Sequence, residues 1–192
     1  MIRILVIRPG TTEYDEQGRI MGRLDIPLSE DGAAQVAKMV EEISHLEVEL
    51  VYTAPSESSV QTANAIASAA NAKVKQTDTL RNLDPGLWQG KLVGEVKSQQ
   101  PKVYKRWQED PESVCPPEGE MVEDARRRFL KGIEKTLRKH KGGLLTMVIP
   151  EPMASVVCSE LKNNEIGNLW LAECSEGGQW EVIDYDRTAK AS

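Results

Sequence analysis

Arg8, Gly10, Thr11 and Thr12 stand directly after the apolar run IRILVI at residues 2–7. An arginine, a glycine and two threonines at the end of a buried strand suit the binding of an anion. Pro9 sits among them with no side chain that can attack or carry a proton. The rest of the chain supplies few alternatives. It has two histidines, His45 and His140, each at the end of an expected helix and read as surface residues. It holds neither a G-x-x-x-x-G-K-[ST] loop nor a G-x-G-x-x-G fingerprint. No His, Cys, Asp and Glu cluster has metal-ligand spacing, so no metal and no cofactor is implied. Cys115, Cys158 and Cys174 are odd in number and far apart, which fits a reducing cytoplasm better than a disulfide framework.

The elements that must position these residues are legible from periodicity. Residues 2–7, rich in Ile, Leu and Val, read as a fully buried strand, and 48–53 and 144–149 read as two further strands of the same kind. Residues 72–77 alternate as a short strand. Residues 8–28 read as a long, glycine-rich and therefore functional loop. Ser29 is the expected N-cap of a helix carrying Val36, Met39, Val40 and Ile43 on one face. An Ala-rich helix over 56–70 presents Val60, Ala63, Ile66, Ala67 and Ala70, and helical patterns cover 92–109 with a break before Pro101. A long helix is expected over 121–140, and its basic residues, Arg126, Arg127 and Arg128 among them, read as a solvated face. A helix from about Pro152 to Lys162 follows. Strands near 168–174 and 179–185, joined by a Gly177-Gly178 turn, close the chain before a frayed tail.

Alternating strands and helices predict a three-layer α/β/α fold with a mostly parallel central sheet. In such folds ligands bind beyond the carboxyl ends of the strands. The places to look are therefore the loops after Ile7, Thr53 and Ile149, with the glycine-rich 80–90 loop as a fourth. The chain has 192 residues and a net charge of −6. That length fits a single domain over 1–192, with 91–119 the place for a cap. The charge argues against nucleic acid as a partner. No apolar run is long enough to cross a membrane, and the first run is too short for a signal-peptide core.

The loops carry a resemblance to a known family. RPGTTEYDEQGRIMGRLDIPLSEDGAAQ (8–35) resembles the opening motif of the histidine phosphatase superfamily, or phosphoglycerate mutase-like proteins, with Arg8, Gly10, Thr12, Gly18, Arg19, Gly22, Asp25, Pro27, Leu28, Gly32 and Gln35 in register. YTAPSESSVQTANAIA (52–67), LRNLDPGLWQG (80–90), CPPEGE (115–120) and VIPEPMASVV (148–157) are similar to its later segments. The resemblance covers residues 1 to about 162. It implies five side chains around one phosphate: a nucleophilic histidine, a second histidine, two arginines and a proton-shuttling glutamate.

Carried over position by position, Arg8 is kept, the nucleophile is Pro9, the second arginine is Ser58, the glutamate is Asn82 and the second histidine is Pro150. The resemblance thus implies the family's pocket without its reactive groups. The leading expectation is a pseudoenzyme that senses a ligand or binds a protein, with an unknown protein or a small anionic ligand as partner and a homodimer compatible with it. The residual pocket would comprise Arg8, Gly10, Thr11, Thr12, Arg19 and Glu151, with Arg23 nearby. A second expectation is a phosphate-ester hydrolase or mutase rebuilt on Glu13, Asp84 or Glu151. A third is an anion-binding module acting through Arg8 and Arg19. Against retained phosphate binding stands Glu151, whose carboxylate favours the positive start of the following helix and repels a phosphate there by on the order of 1–4 kcal/mol. Pro152 is expected at the first position of that helix, and Ser56, Ser58 and Ser59 are expected as helix-start residues.

Overall fold

Alternate side chains of the central strands enter two different apolar layers, as strands buried on both faces must. Ile4 and Val6 of β1 (Ile2–Ile7) pack on one side, and Leu5 and Ile7 on the other. The computed structural model describes residues 2–140, 143–166 and 179–185. Its sheet has the order β3-β2-β4-β1-β5, with β2 at Leu50–Thr53, β3 at Lys73–Gln76, β4 at Leu144–Val148 and β5 at Trp180–Tyr185. The β1–β4, β4–β2 and β2–β3 pairs are parallel, and β5 runs antiparallel along β1.

Seven α-helices surround this sheet among the described residues: α1 (Glu13–Glu16), α2 (Glu30–Glu42), α3 (Glu57–Ala70), α4 (Val93–Gln99), α5 (Pro101–Glu109), α6 (Val122–Lys139) and α7 (Met153–Lys162). Helices α2 and α3 cover one face through Val36, Met39, Ala63 and Ile66. Helices α6 and α7 cover the other through Phe129, Ile133, Val157 and Leu161. Val96, Tyr104 and Trp107 from α4 and α5 enter that same second core, where Trp107 meets Trp88 edge-on with ring centroids 5.7 Å apart. No helix of the described residues is long and apolar enough to cross a membrane.

Several local expectations need correction. The 8–28 loop contains the short α1, nucleated by Thr12 and Asp15, which satisfy each other's backbone N–H groups in a capping box. The buried face of α3 is rotated from the expected one. Ser58, Ser59 and Thr62 join Ala63, Ile66 and Ala67 inside, whereas Ala70 is exposed. Ser56 is the N-cap of α3 but makes no side-chain cap; Asp25 supplies it by accepting the Glu57 N–H at 2.6 Å. Pro152 is the N-cap of α7 instead of its first helical residue. The basic face of α6 is only partly solvated. The Arg127 and Arg138 side chains are 70% and 80% exposed, but those of Arg126 and Arg128 are 21% and 15% exposed and paired with carboxylates. The expected strand at 168–174, the Gly177-Gly178 turn and the tail lie outside the described residues.

Candidate functional site

The loops leaving β1, β2 and β4 and the loop at 82 converge on a cavity of about 400 Å³ at the carboxyl ends of the parallel strands. Pro9, Ser58, Asn82 and Pro150 all line it, as do Arg8, Gly10, Thr11, Thr12 and Glu151. Gly10 is required where it stands because a side chain there would collide with the backbone of Gly32. The loop is drawn against the start of α2 by Ser29 N–H donating to Thr11 O (3.0 Å) and by Thr11 N–H donating to Gln35 Oε1 (3.2 Å).

Arg8 emerges from the end of β1 and is committed to the protein. Its N–H donates to Gln179 O (2.8 Å), its Nε donates to Glu151 Oε1 (2.5 Å), and one terminal nitrogen reaches Glu181 Oε1 (3.5 Å). Burial would lower its pKa, but the two carboxylates outweigh burial and raise it. Glu151 is held from the other side by the first turn of α7. Its Oε2 accepts from Ser155 N–H and its Oε1 from Ser155 Oγ, both at 3.1 Å.

Asn82 has no spare capacity. Its Nδ2 donates to Gly22 O (3.0 Å) and Glu151 O (2.6 Å), and its Oδ1 accepts from Leu83 N–H (2.9 Å) and Met153 N–H (3.2 Å). Those bonds use both amide hydrogens and both carbonyl lone pairs of a side chain that is almost fully buried. The amide is a rivet between the 22, 82 and 151–153 segments. Ser58 is likewise buried, at the start of α3, with its N–H donating to Ile26 O (3.2 Å).

Other expected residues lie elsewhere. Arg19 does not line the cavity: its guanidinium bonds Gln17 Oε1 (2.8 Å) and Gly90 O (2.9 Å) and lies near the Tyr14 ring. Its neighbours in sequence, Gly18 and Ile20, are held to the 91–93 backbone, which turns the arginine away from the site. Arg23 pairs with Asp84 (2.9 Å) and Glu120 (3.3 Å). Of the carboxylates weighed for a rebuilt site, Glu13 and Asp84 fall outside the lining and Glu151 falls inside. Exposed His45 meets Glu42 O (2.9 Å), and neither His45 nor His140 lines the cavity.

Sequence reasoning passed over Asp15, Gln179 and Glu181. The Thr12-x-x-Asp15 spacing signals a capping box and could have placed Asp15. Gln179 and Glu181 carry no such signal, because only the antiparallel pairing of β5 with β1 brings them to Arg8. Glu181 also pairs with Lys162. Burial would push its pKa up, but Lys162 and Cys158 as hydrogen-bond donors hold it below the ordinary carboxylate value.

The Cys158 thiol lies beside this carboxylate. Burial, with Glu181 adjacent, pushes it up to about 12, so it stays protonated and unreactive at neutral pH. Brief iodoacetamide treatment of the native protein at pH 8 is therefore expected to alkylate exposed Cys115 and spare Cys158, as read by peptide mass spectrometry. Equal labelling of the two in the native state would refute this assignment.

Comparison with known proteins gives a consistent outcome. A sequence model described as the histidine phosphatase superfamily (branch 1) matches residues 4–191. Phosphoserine phosphatase 1 of Hydrogenobacter thermophilus is 30% identical over 185 residues, covering 95% of this chain and 86% of its own. Among solved structures, Bacillus stearothermophilus YhfR superposes with a TM-score of 0.85 at 22% identity, over 97% of this chain and 93% of its own. A mycobacterial glucosyl-3-phosphoglycerate phosphatase complexed with VO3 also reaches 0.85, at 20% identity, over 96% and 93% of the two chains.

Proposed function

We propose, for a chain that belongs to the histidine phosphatase superfamily, a non-catalytic role: a pseudoenzyme that works by sensing a ligand or binding a protein. The observation that carries this reading is the cavity lining. At the positions where the family resemblance calls for a nucleophile, a second histidine, a second arginine and a proton shuttle stand Pro9, Pro150, Ser58 and Asn82, all lining one cavity. Neither proline offers a nucleophile or a donor, and the amide of Asn82 is saturated by backbone. Loss of one essential member of a coupled catalytic set can cost ~10⁶ in rate, and here four of the five members are replaced, with Arg8 alone kept. The rebuilt-enzyme reading has weaker support. Glu151 alone of its three carboxylates reaches the cavity, and both of its oxygens are engaged. The anion-module reading loses Arg19, which leaves Arg8 paired with two glutamates.

The net charge of −6 supports a small molecule or a protein as partner over nucleic acid. A cytoplasmic location belongs to the same proposal and rests on the odd, dispersed cysteines. The test is phosphate release from phosphoserine, 3-phosphoglycerate and p-nitrophenyl phosphate, with an active relative assayed in parallel. Release from this chain is expected to match that of its heat-denatured control. Turnover above that control, abolished in Glu151→Gln, would replace the proposal with the rebuilt-site enzyme.

A further inference from the structure

We propose that Glu151 is a built-in surrogate for a ligand's anionic group, so that the cavity contains an oxyanion cradle latched shut by the protein's own carboxylate. Two kinds of donor converge there. The Arg8 side chain is 14% exposed and points its Nε at Glu151 Oε1 from the end of β1. From the opposite wall, the first turn of α7 points the Ser155 N–H and Oγ at the two oxygens of the same carboxylate. A largely buried guanidinium facing one backbone N–H and one hydroxyl, both of Ser155 in the first turn of a ten-residue helix, is a donor set for a carboxylate or a phosphoryl group. The Glu151 side chain fills that set at 13% exposure.

The latch is anchored as well as charged. Glu151 O accepts from Asn82 Nδ2 at 2.6 Å, which fixes the backbone from which the carboxylate reaches into the cradle. Glu181 holds Arg8 from the far side. Inorganic phosphate entering the cavity would have to displace one carboxylate from Arg8 while facing the other. The wild-type cavity therefore selects against ligands that bear a phosphate or similar oxyanion. This deepens the non-catalytic reading and rests on it only for the absence of a nucleophile.

Thermal unfolding with and without inorganic phosphate tests the latch in wild type, Glu151→Gly and the Arg8→Ala/Glu151→Gly double variant. Wild type is expected to show no rise at millimolar phosphate. Glu151→Gly is expected to gain a rise of roughly 5–10 °C once phosphate is at about a hundred times its dissociation constant. The double variant is expected to lose that gain. Glu151→Gln keeps the volume and removes the charge; it is expected to show a smaller rise than Glu151→Gly and supplies the comparison should the glycine variant fold poorly. A flat response in both single variants overturns the proposal, as does a wild-type rise equal to theirs or a gain that survives Arg8→Ala. Hydrolysis of p-nitrophenyl phosphate by Glu151→Gly would overturn the non-catalytic reading while leaving the latch standing.

Discussion

The Asn82→Asp variant is expected to melt roughly 6–12 °C below wild type at pH 7, a loss of about 3 kcal/mol. Asparagine and aspartate have nearly the same shape, so the effect isolates hydrogen-bond chemistry. In wild type the Nδ2 group donates to Gly22 O and Glu151 O. In the variant an ionised oxygen faces those two carbonyls inside a buried site, which leaves both acceptors unmatched and adds repulsion. The variant carboxyl is easier to protonate in the folded chain than in the unfolded one. Its folded pKa therefore lies above the unfolded value of ~3.9, and the deficit grows as pH rises from that value through the folded pKa. Melting curves from pH 3.5 to 8 should show wild type and variant closest at the acid end. Equal stability at pH 7 would mean that the amide does not hold these segments together.

Glu120→Ala is the second variant expected to lose much of the fold's margin. The Glu120 side chain is 12% exposed and receives Arg128 through Nε (3.3 Å) and a terminal nitrogen (3.1 Å), Arg23 at 3.3 Å and Arg81 at 4.0 Å. Burial, with Arg81 and Arg23 close by, lowers the Arg128 pKa despite the carboxylate beside it. Removing the carboxylate leaves the largely buried Arg128 without its counter-charge beside two like charges, which costs about 3 kcal/mol, the low end of what breaking a buried pair costs, since Arg23 and Arg81 are partly solvated and keep Asp84 and Asp78 as partners. Urea unfolding should show a lower midpoint with an unchanged slope. In a double-mutant cycle with Arg128→Met the two losses should fall well short of adding. Additive losses would show that the two residues act independently.

Particular residues show how far the sequence alone could be read. The strands β1 and β4 were legible because nearly all of their side chains are buried on both faces, which writes an apolar run broken only by Arg3 and by Thr146 into the chain. The cavity was legible because its walls are the ends of those strands and of β2. Arg128 was not. Its place on a helical wheel gives a direction, but its terminal nitrogen finds Thr79 O and Arg81 O, both at 3.0 Å, on a segment nearly fifty residues away. Arg19 failed for the opposite reason: proximity in sequence to Arg8 carried no information about side-chain direction once the turn at Gly18 intervened. The saturation of Asn82 depends on backbone atoms from three separate loops, a property that no spacing rule reports.

Strand β3 has a consequence for how the molecule behaves in a crowded solution. Among the described residues it is the outermost strand on its side of the sheet and is paired only with β2. An open strand edge of this kind is a template for unwanted pairing with other chains. Here the strand is four residues long and two of them are lysines, Lys73 and Lys75, the latter's ammonium 5.5 Å from the centre of the Tyr52 ring. A second chain that extended the sheet at this edge would find a short hydrogen-bonding strip and would have to lie beside two ammonium groups. The edge is thereby guarded against aggregation by its own brevity and charge, with no covering element required.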